Sequence, residues 1–241
     1  INYKMDIKSD LFMDLASKQI ATTDKVEDVV TMLATKFRTK KSILRDFTSL
    51  HMVVPTLRCN SKCIYCQVAA HNMNAVGFDM DKKTAKNTVK MIMSCPSPGI
   101  KIEFQGGDPS TYFDMVKYII EEAEWQNLFK KKDLGFVICT NVTLLTPEMV
   151  KYLKKHKCDI STSLDGPREL HNTNRPLQNT TETHEKFEEN IQMIRGICGE
   201  HSVSALMTTS KHSIGHFKEI IDEYVRLGFN NIFLRSLNPY G

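Results

Sequence analysis

The feature that most constrains the fold of this 241-residue chain is a repeated alternation of short apolar segments with longer amphipathic ones. Short apolar runs are typical of buried parallel strands, and amphipathic segments between them are typical of crossover helices. The pattern predicts strands at 52–56, 100–105, 135–139, 159–164, 203–208 and 231–235. It predicts helices at 81–93, 112–125, 147–155, 183–197 and 216–227. We therefore expect an α/β chain of six βα units.

Six βα units are two short of a full eight-stranded barrel, so two architectures fit the alternation. The sheet is either a partial barrel or an open, doubly wound sheet. Both architectures place ligands at the carboxyl ends of the strands, and these ends are where we look for functional residues.

Helix signals and polar composition refine this outline. Thr146 and Pro147 have the residue types of a helix cap and a first helical position. Residues 1–50 precede the barrel and are predicted to form a small helical segment, in which Asp24 and Glu27 are spaced like a capping box. Residues 172–182 are predicted to form the most polar loop. The expected domains are residues 1–50 and residues 51–241.

Composition narrows the class of protein. The chain is 41% hydrophobic and 25% charged, which is ordinary for a globular domain. Its seven cysteines are sparse for a disulfide scaffold, and no apolar run approaches a membrane span. The net charge is only +4, and the basic runs lack interleaved aromatic residues. We expect a soluble, cytoplasmic protein that binds neither DNA nor membranes.

Three cysteines form the most specific chemical motif of the chain. Cys59, Cys63 and Cys66 have the spacing C-x3-C-x2-C, and no second C-x2-C pair occurs. Structural zinc sites usually have four protein ligands, whereas three thiolates on an iron–sulfur cubane leave one iron open to a ligand. The pattern favours such a cluster. A zinc site completed by a distant His, or a chance grouping, remains an alternative.

The run 57–66, with Tyr65 just before the third cysteine, resembles the radical S-adenosylmethionine (SAM) enzymes. The resemblance extends over about residues 52–235 and implies a partial (β/α)6 TIM-like barrel. It implies a [4Fe-4S] cluster held by Cys59, Cys63 and Cys66, with Tyr65 beside the SAM cofactor. It also implies an external electron donor of the flavodoxin or ferredoxin type and reductive cleavage of SAM to a 5′-deoxyadenosyl radical.

A glycine pair follows the second predicted strand. The run Gly106-Gly107-Asp108-Pro109 allows the backbone to approach a ligand closely, although it is also a good turn sequence. It resembles the Gly-Gly-Glu-Pro loop of radical SAM enzymes, which meets the amino group of SAM in that family. The resemblance implies that Gly106, Gly107 and Asp108 bind the cofactor. Because Asp108 is shorter than Glu, we favour a backbone role there.

Polar residues also follow the fourth predicted strand. The run Ser163-Leu164-Asp165-Gly166-Pro167, followed by His171 and Arg175, resembles the anaerobic sulfatase maturases and related peptide-modifying radical SAM enzymes. A hydroxyl and a guanidinium can bind the carboxylate and ribose hydroxyls of SAM, so Ser163 and Arg175 are assigned to the cofactor. The alternative is a turn at Asp165 and a solvated Arg175. Thr140-Asn141 and Thr208 or Thr209 are weaker strand-end candidates.

The substrate class rests on the same resemblance. Residues 55–68 and 234–241 look like the His-Xaa-Ser system radical SAM maturases, which belong to the group that modifies ribosomally made peptides. The resemblance implies post-translational modification of a peptide or protein. We expect the Cys-rich auxiliary-cluster domain of that group, called SPASM or twitch, to be absent from this chain. A radical SAM enzyme acting on a small metabolite or RNA, and a non-enzymatic iron–sulfur or zinc protein, remain alternatives.

Overall fold

The computed structural model describes residues 6–42 and 48–237, and the chain divides between these two ranges into two compact units. The first unit contains helices α1 (Asp10–Ser17) and α2 (Val26–Lys40), neither of which has a buried residue. The predicted capping box at Asp24 and Glu27 is wrong. Helix α2 has Lys25 as its N-cap, and no side chain caps it.

The second unit is a six-stranded, fully parallel sheet with helical connections. Its strands are β1 (Leu50–Thr56), β2 (Gly99–Gly106), β3 (Asp133–Cys139), β4 (Cys158–Ser163), β5 (Val203–Thr208) and β6 (Phe233–Arg235). Its helices are α3 (Lys82–Met93), α4 (Phe113–Lys130), α5 (Pro147–Lys155), α6 (Arg168–Asn174), α7 (Thr183–Cys198) and α8 (Phe217–Arg226).

The strand order in space is the order in the chain, from β1 at one edge to β6 at the other. A doubly wound sheet reverses its order at a switch point, whereas a (β/α) barrel does not. The predicted α/β fold, a partial TIM-like barrel with six parallel strands, is therefore confirmed. Because every strand pair is parallel, the carboxyl ends of all six strands lie at the same end of the sheet.

Alternating side chains separate a buried outer face of the sheet from an incompletely buried inner face. Along β2, Ile100, Ile102 and Phe104 are buried in one cluster with Val89 of α3 and Ile119 of α4. The β2 residues between them point to the opposite face and are not buried. This outer core fixes the strands, and with them the positions of the loops at their carboxyl ends.

The connections follow the sequence signals, with one exception. Thr146 caps α5 by accepting a hydrogen bond from the Met149 amide at 3.3 Å, and Pro147 occupies the first helical turn, as predicted. The prediction of a loop over residues 172–182 is wrong at its start, because α6 extends to Asn174. Burial of Leu170 and His171 stabilises this short helix, and its polar sequence does not reveal that packing.

None of the described helices combines the length and the apolar character that crossing a membrane requires.

Alanine substitution of two neighbouring isoleucines of α8 tests which face of this helix packs against the outer core. Ile220 is 2% exposed and Ile221 is 53% exposed. We expect Ile220→Ala to lower the free energy of unfolding by about 2–5 kcal/mol, because it opens a cavity under the β4–α6 connection. The same change at Ile221 should cost less than about 1 kcal/mol. Urea unfolding followed by circular dichroism measures both, and equal losses would contradict the placement of α8.

Candidate active site

The three cysteines lie on the loop that follows β1, which we call the cysteine loop (residues 57–66). Cys59 is buried, Cys63 is half-buried and Cys66 is exposed. The three thiols lie within electrostatic range of one another. Within residues 6–42 and 48–237, no three His, Cys, Asp or Glu side chains are arranged as ligands of a single metal ion. The donor set, three soft thiols on one loop, fits an iron–sulfur cluster.

The free thiols of Cys59 and Cys63 are held in their protonated form. Burial, together with the nearby Asp108 charge, raises the pKa of the Cys59 thiol to about 12. Burial also raises the pKa of Cys63, although the Arg175 cation acts in the opposite direction. Because iron binds the thiolate, loading this loop must release protons.

Backbone hydrogen bonds join the cysteine loop to the last residue of α6 and to the segment that follows it. The Lys62 amide donates to the Pro176 carbonyl at 2.7 Å, and the Ile64 amide donates to the Asn174 carbonyl at 3.0 Å. The Gln178 side chain donates to the carbonyl of the first cysteine at 2.6 Å. The positions of the first and second cysteines are therefore fixed partly by residues more than 100 positions away in the sequence.

Side-chain amides join the same loop to the end of β3. Asn60 donates to the Thr143 hydroxyl at 2.8 Å. Asn141 donates to the Asn60 side-chain oxygen at 2.8 Å and to the Ser61 hydroxyl at 2.9 Å. The sequence indicates Asn141 by its place at a strand end, whereas no sequence signal indicates Asn60. The structure gives both residues a positioning role on the cysteine loop.

The glycine loop (residues 106–109) packs directly on the backbone of the cysteine loop. A Cβ atom at Gly106 would lie 2.4 Å from the Thr56 carbonyl oxygen, and one at Gly107 would lie 2.2 Å from that of Arg58. Gly106 also has a φ of 124°. Only glycine fits these positions without displacing the neighbouring backbone. The predicted close approach therefore occurs toward protein backbone, and binding of the cofactor by these glycines stays a prediction.

The carboxylate of Asp108 is buried and forms hydrogen bonds with other residues of the protein. It accepts hydrogen bonds from the Ser110 amide at 2.9 Å, the Thr140 hydroxyl at 2.8 Å and the Asn141 amide at 2.8 Å. Burial raises the pKa of Asp108, while the hydrogen bonds from Ser110 act to lower it. Its side chain fastens the end of β2 to the end of β3. Only the backbone of Asp108 remains a predicted cofactor contact.

A buried polar cluster lies at the end of β4. Ser163 is the half-buried last residue of this strand. Arg175 is buried, so the alternative of a solvated loop residue is wrong. Its Nε atom lies 3.2 Å from the Asp165 Oδ1 atom, and its guanidinium carbon lies 5.3 Å from the centroid of the Tyr65 ring. The Tyr65 hydroxyl donates to Asp165.

Burial and ion pairing together set the protonation states of Tyr65 and Arg175. Burial raises the pKa of the Tyr65 phenol, which therefore remains a hydrogen-bond donor. Burial alone would lower the pKa of Arg175, but the charge of Asp165 outweighs it and raises the pKa. The guanidinium therefore stays charged and is paired with the Asp165 carboxylate.

Comparison with known proteins identifies the class. Residues 53–234 match the family model described as the Radical SAM superfamily, and the chain belongs to that superfamily. The predicted family is confirmed, as are the predicted cofactors, because this superfamily uses a [4Fe-4S] cluster and SAM.

Several relatives show what the chain resembles. It is 24% identical over 189 residues to the cysteine-type anaerobic sulfatase-maturating enzyme of Clostridium perfringens, covering 75% of this chain and 50% of that one. It is 32% identical over 124 residues to the Fe-coproporphyrin III synthase of Methanosarcina barkeri, covering 51% of this chain and 29% of that one.

Among solved structures, native anSMEcpe with bound AdoMet has a TM-score of 0.70 at 21% identity, covering 78% of this chain and 52% of that one. The same protein was also solved with AdoMet and a peptide. This chain spans about half the length of its sulfatase-maturating relatives.

Alanine substitution of two glycines in different environments tests the contact between the glycine loop and the cysteine loop. We expect Gly107→Ala to cost about 1–3 kcal/mol of unfolding free energy, because its methyl group collides with backbone. Gly196→Ala in α7 meets nothing within 4 Å and should be neutral or stabilising by up to about 1 kcal/mol. Chemical denaturation of both variants measures the difference. A Gly107→Ala protein as stable as the parent would refute the close packing.

Proposed function

We infer that this chain is the core of a radical SAM enzyme that modifies a peptide or protein after its synthesis. The main support for this proposal is that four loops at the carboxyl ends of the strands are hydrogen-bonded to one another. The cysteine loop, the glycine loop, and the loops after β3 and β4 are joined to one another by the hydrogen bonds described above. Residues 51–241 are the proposed core domain, and residues 1–50 are the proposed N-terminal helical segment.

Each group of residues has a proposed task in cofactor binding. Cys59, Cys63 and Cys66 hold the cluster, which together with SAM supplies a 5′-deoxyadenosyl radical when both are bound. The backbone of the glycine loop lies beside the cysteine loop and can accept hydrogen bonds from the amino group of SAM. Ser163 and Arg175 present a hydroxyl and a cation, which suit its carboxylate and ribose.

A polypeptide substrate is supported by two observations. The first is the similarity to sulfatase-maturating enzymes, one of which was solved with a peptide. The second is the incompletely buried inner face of the sheet, which carries polar side chains such as Glu103, Gln105 and Ser161. Among the described residues, β1 and β6 each pair with one strand only, and we propose that an extended chain reaches the inner face between them. We further propose an external flavodoxin- or ferredoxin-type electron donor and a cytoplasmic location.

A second candidate is a radical SAM enzyme acting on a small molecule. The similarity to an Fe-coproporphyrin III synthase over half of this chain supports it. Incubation with peptide libraries and with a porphyrin separates the two candidates, because only the true substrate should stimulate SAM consumption.

Substitution of one cluster ligand tests the proposal. The protein is reconstituted anaerobically with iron and sulfide, reduced with dithionite and incubated with SAM. We expect the parent to form 5′-deoxyadenosine and Cys63→Ala to form none, because a cubane lacking one of its three thiolates is not retained. Mass-resolved chromatography measures the product.

The matched control is Cys198→Ala, a cysteine at the end of α7 outside the triad. It should retain the full yield of 5′-deoxyadenosine. Equal product from the parent and Cys63→Ala proteins, or zinc in place of iron in the reconstituted parent, would contradict the proposal.

A further inference from the structure

Asp165 is the central acceptor of the buried polar cluster at the end of β4. Its side chain is 0% exposed. It accepts hydrogen bonds from the Tyr65 hydroxyl and from the Thr208 amide at 3.2 Å, and its Oδ1 atom forms an ion pair with the Arg175 Nε atom, also at 3.2 Å. Its own amide donates to the His171 Nδ1 atom at 3.3 Å. The carboxylate is thus held from the cysteine loop, from β5 and from the segment after α6.

The Asp165 carboxylate neutralises the positive charge of the Arg175 guanidinium. The arginine side chain is only 11% exposed, and Asp165 is the one acidic group that pairs with it within the described residues. Its guanidinium also lies against the Tyr65 ring, and its Nη2 atom lies 3.5 Å from the Thr208 hydroxyl. A buried cation whose counterion is removed is left uncompensated, which is far more costly than loss of the whole pair.

The ion pair lies beside the cysteine loop. Both Arg175 and Asp165 are within electrostatic range of the Cys63 sulfur, and Tyr65, two residues further along, contacts both members of the pair. In this water-poor environment a charge acts on its neighbours more strongly than it would in solvent. The balance between these two charges is therefore part of the electrostatic field at the cysteines.

We propose that Asp165 is a positioning residue that holds Arg175 and Tyr65 against the cysteine loop and, by neutralising Arg175, keeps the reduction potential of the cluster low. This inference rests on the proposed function, since it requires a redox-active cluster on the cysteine loop. Reduction adds one negative charge to a cluster, so an uncompensated cation nearby favours the reduced form. Cluster potentials respond to local charge and solvent exposure in this way.

The test compares four reconstituted proteins: the parent, Asp165→Asn, Arg175→Gln and the double variant. Asp165→Asn leaves a local positive charge, so we expect its cluster potential to shift to more positive values. Arg175→Gln leaves a local negative charge and should shift the potential the other way. The double variant has no net change of charge and should return close to the parent. A redox titration followed by electron paramagnetic resonance measures all four potentials.

If the reduction potential of the double variant returns to the parent value, the role of Asp165 is electrostatic and not merely structural. Two independent packing defects would add rather than cancel. Circular dichroism of the apo-proteins shows beforehand whether each variant folds. If Asp165→Asn alone does not fold, Arg175→Gln is compared with the double variant, and the double variant should have the more positive potential.

Equal potentials in the proteins that fold would overturn the proposal, as would a double variant whose shift is the sum of two shifts of the same sign. A parent protein that binds no redox-active cluster would instead refute the proposed function, so the two failures are distinguishable.

Discussion

The rest of the site depends on the contact between two backbones at Gly106 and Gly107. The glycine loop lies so close to the carbonyls of Thr56 and Arg58 that no Cβ atom fits between them. This contact is reinforced by hydrogen bonds from the Gly107 amide to Thr56 at 3.0 Å and from the Asp108 amide to Arg58 at 2.8 Å. It places the end of β2 directly against the segment that leads into the first cysteine. The cysteine loop can therefore be irregular in itself and still be held in one position, because the parallel sheet fixes the strand ends that surround it.

Two buried aspartates extend this arrangement along the edge of the sheet. Asp108 fastens the glycine loop to the end of β3, and Asp165 fastens the cysteine loop to the end of β5 and to Arg175. Each carboxylate accepts several donors from different loops, which offsets the cost of burying it. The two differ in their partners, since Asp108 is held by neutral donors and Asp165 by a cation. Only Asp165 therefore belongs to a charge pair whose balance can influence a bound cluster.

Much of this architecture could be predicted from the sequence because the relevant signals are local. Apolar runs and helical periodicity located all six strands, and the triad and the glycine pair were visible as short motifs. The contacts that position the cysteine loop could not be predicted, because Asn60 meets Asn141 and Ile64 meets Asn174 only after folding. Helix α6 was missed since packing, rather than local propensity, stabilises it. The capping-box pattern at Asp24 and Glu27 was misleading, because a spacing alone does not ensure that the helix begins beside it.

We propose that three thiolates of one loop hold a cubane whose remaining iron is open to SAM. Mössbauer spectroscopy of protein reconstituted with ⁵⁷Fe, recorded before and after addition of SAM, is the measurement that decides this. We expect one iron of the four to change its isomer shift when SAM binds, while the other three do not. Four irons that remain equivalent in the presence of saturating SAM, or a cluster with fewer irons than a cubane, would contradict it.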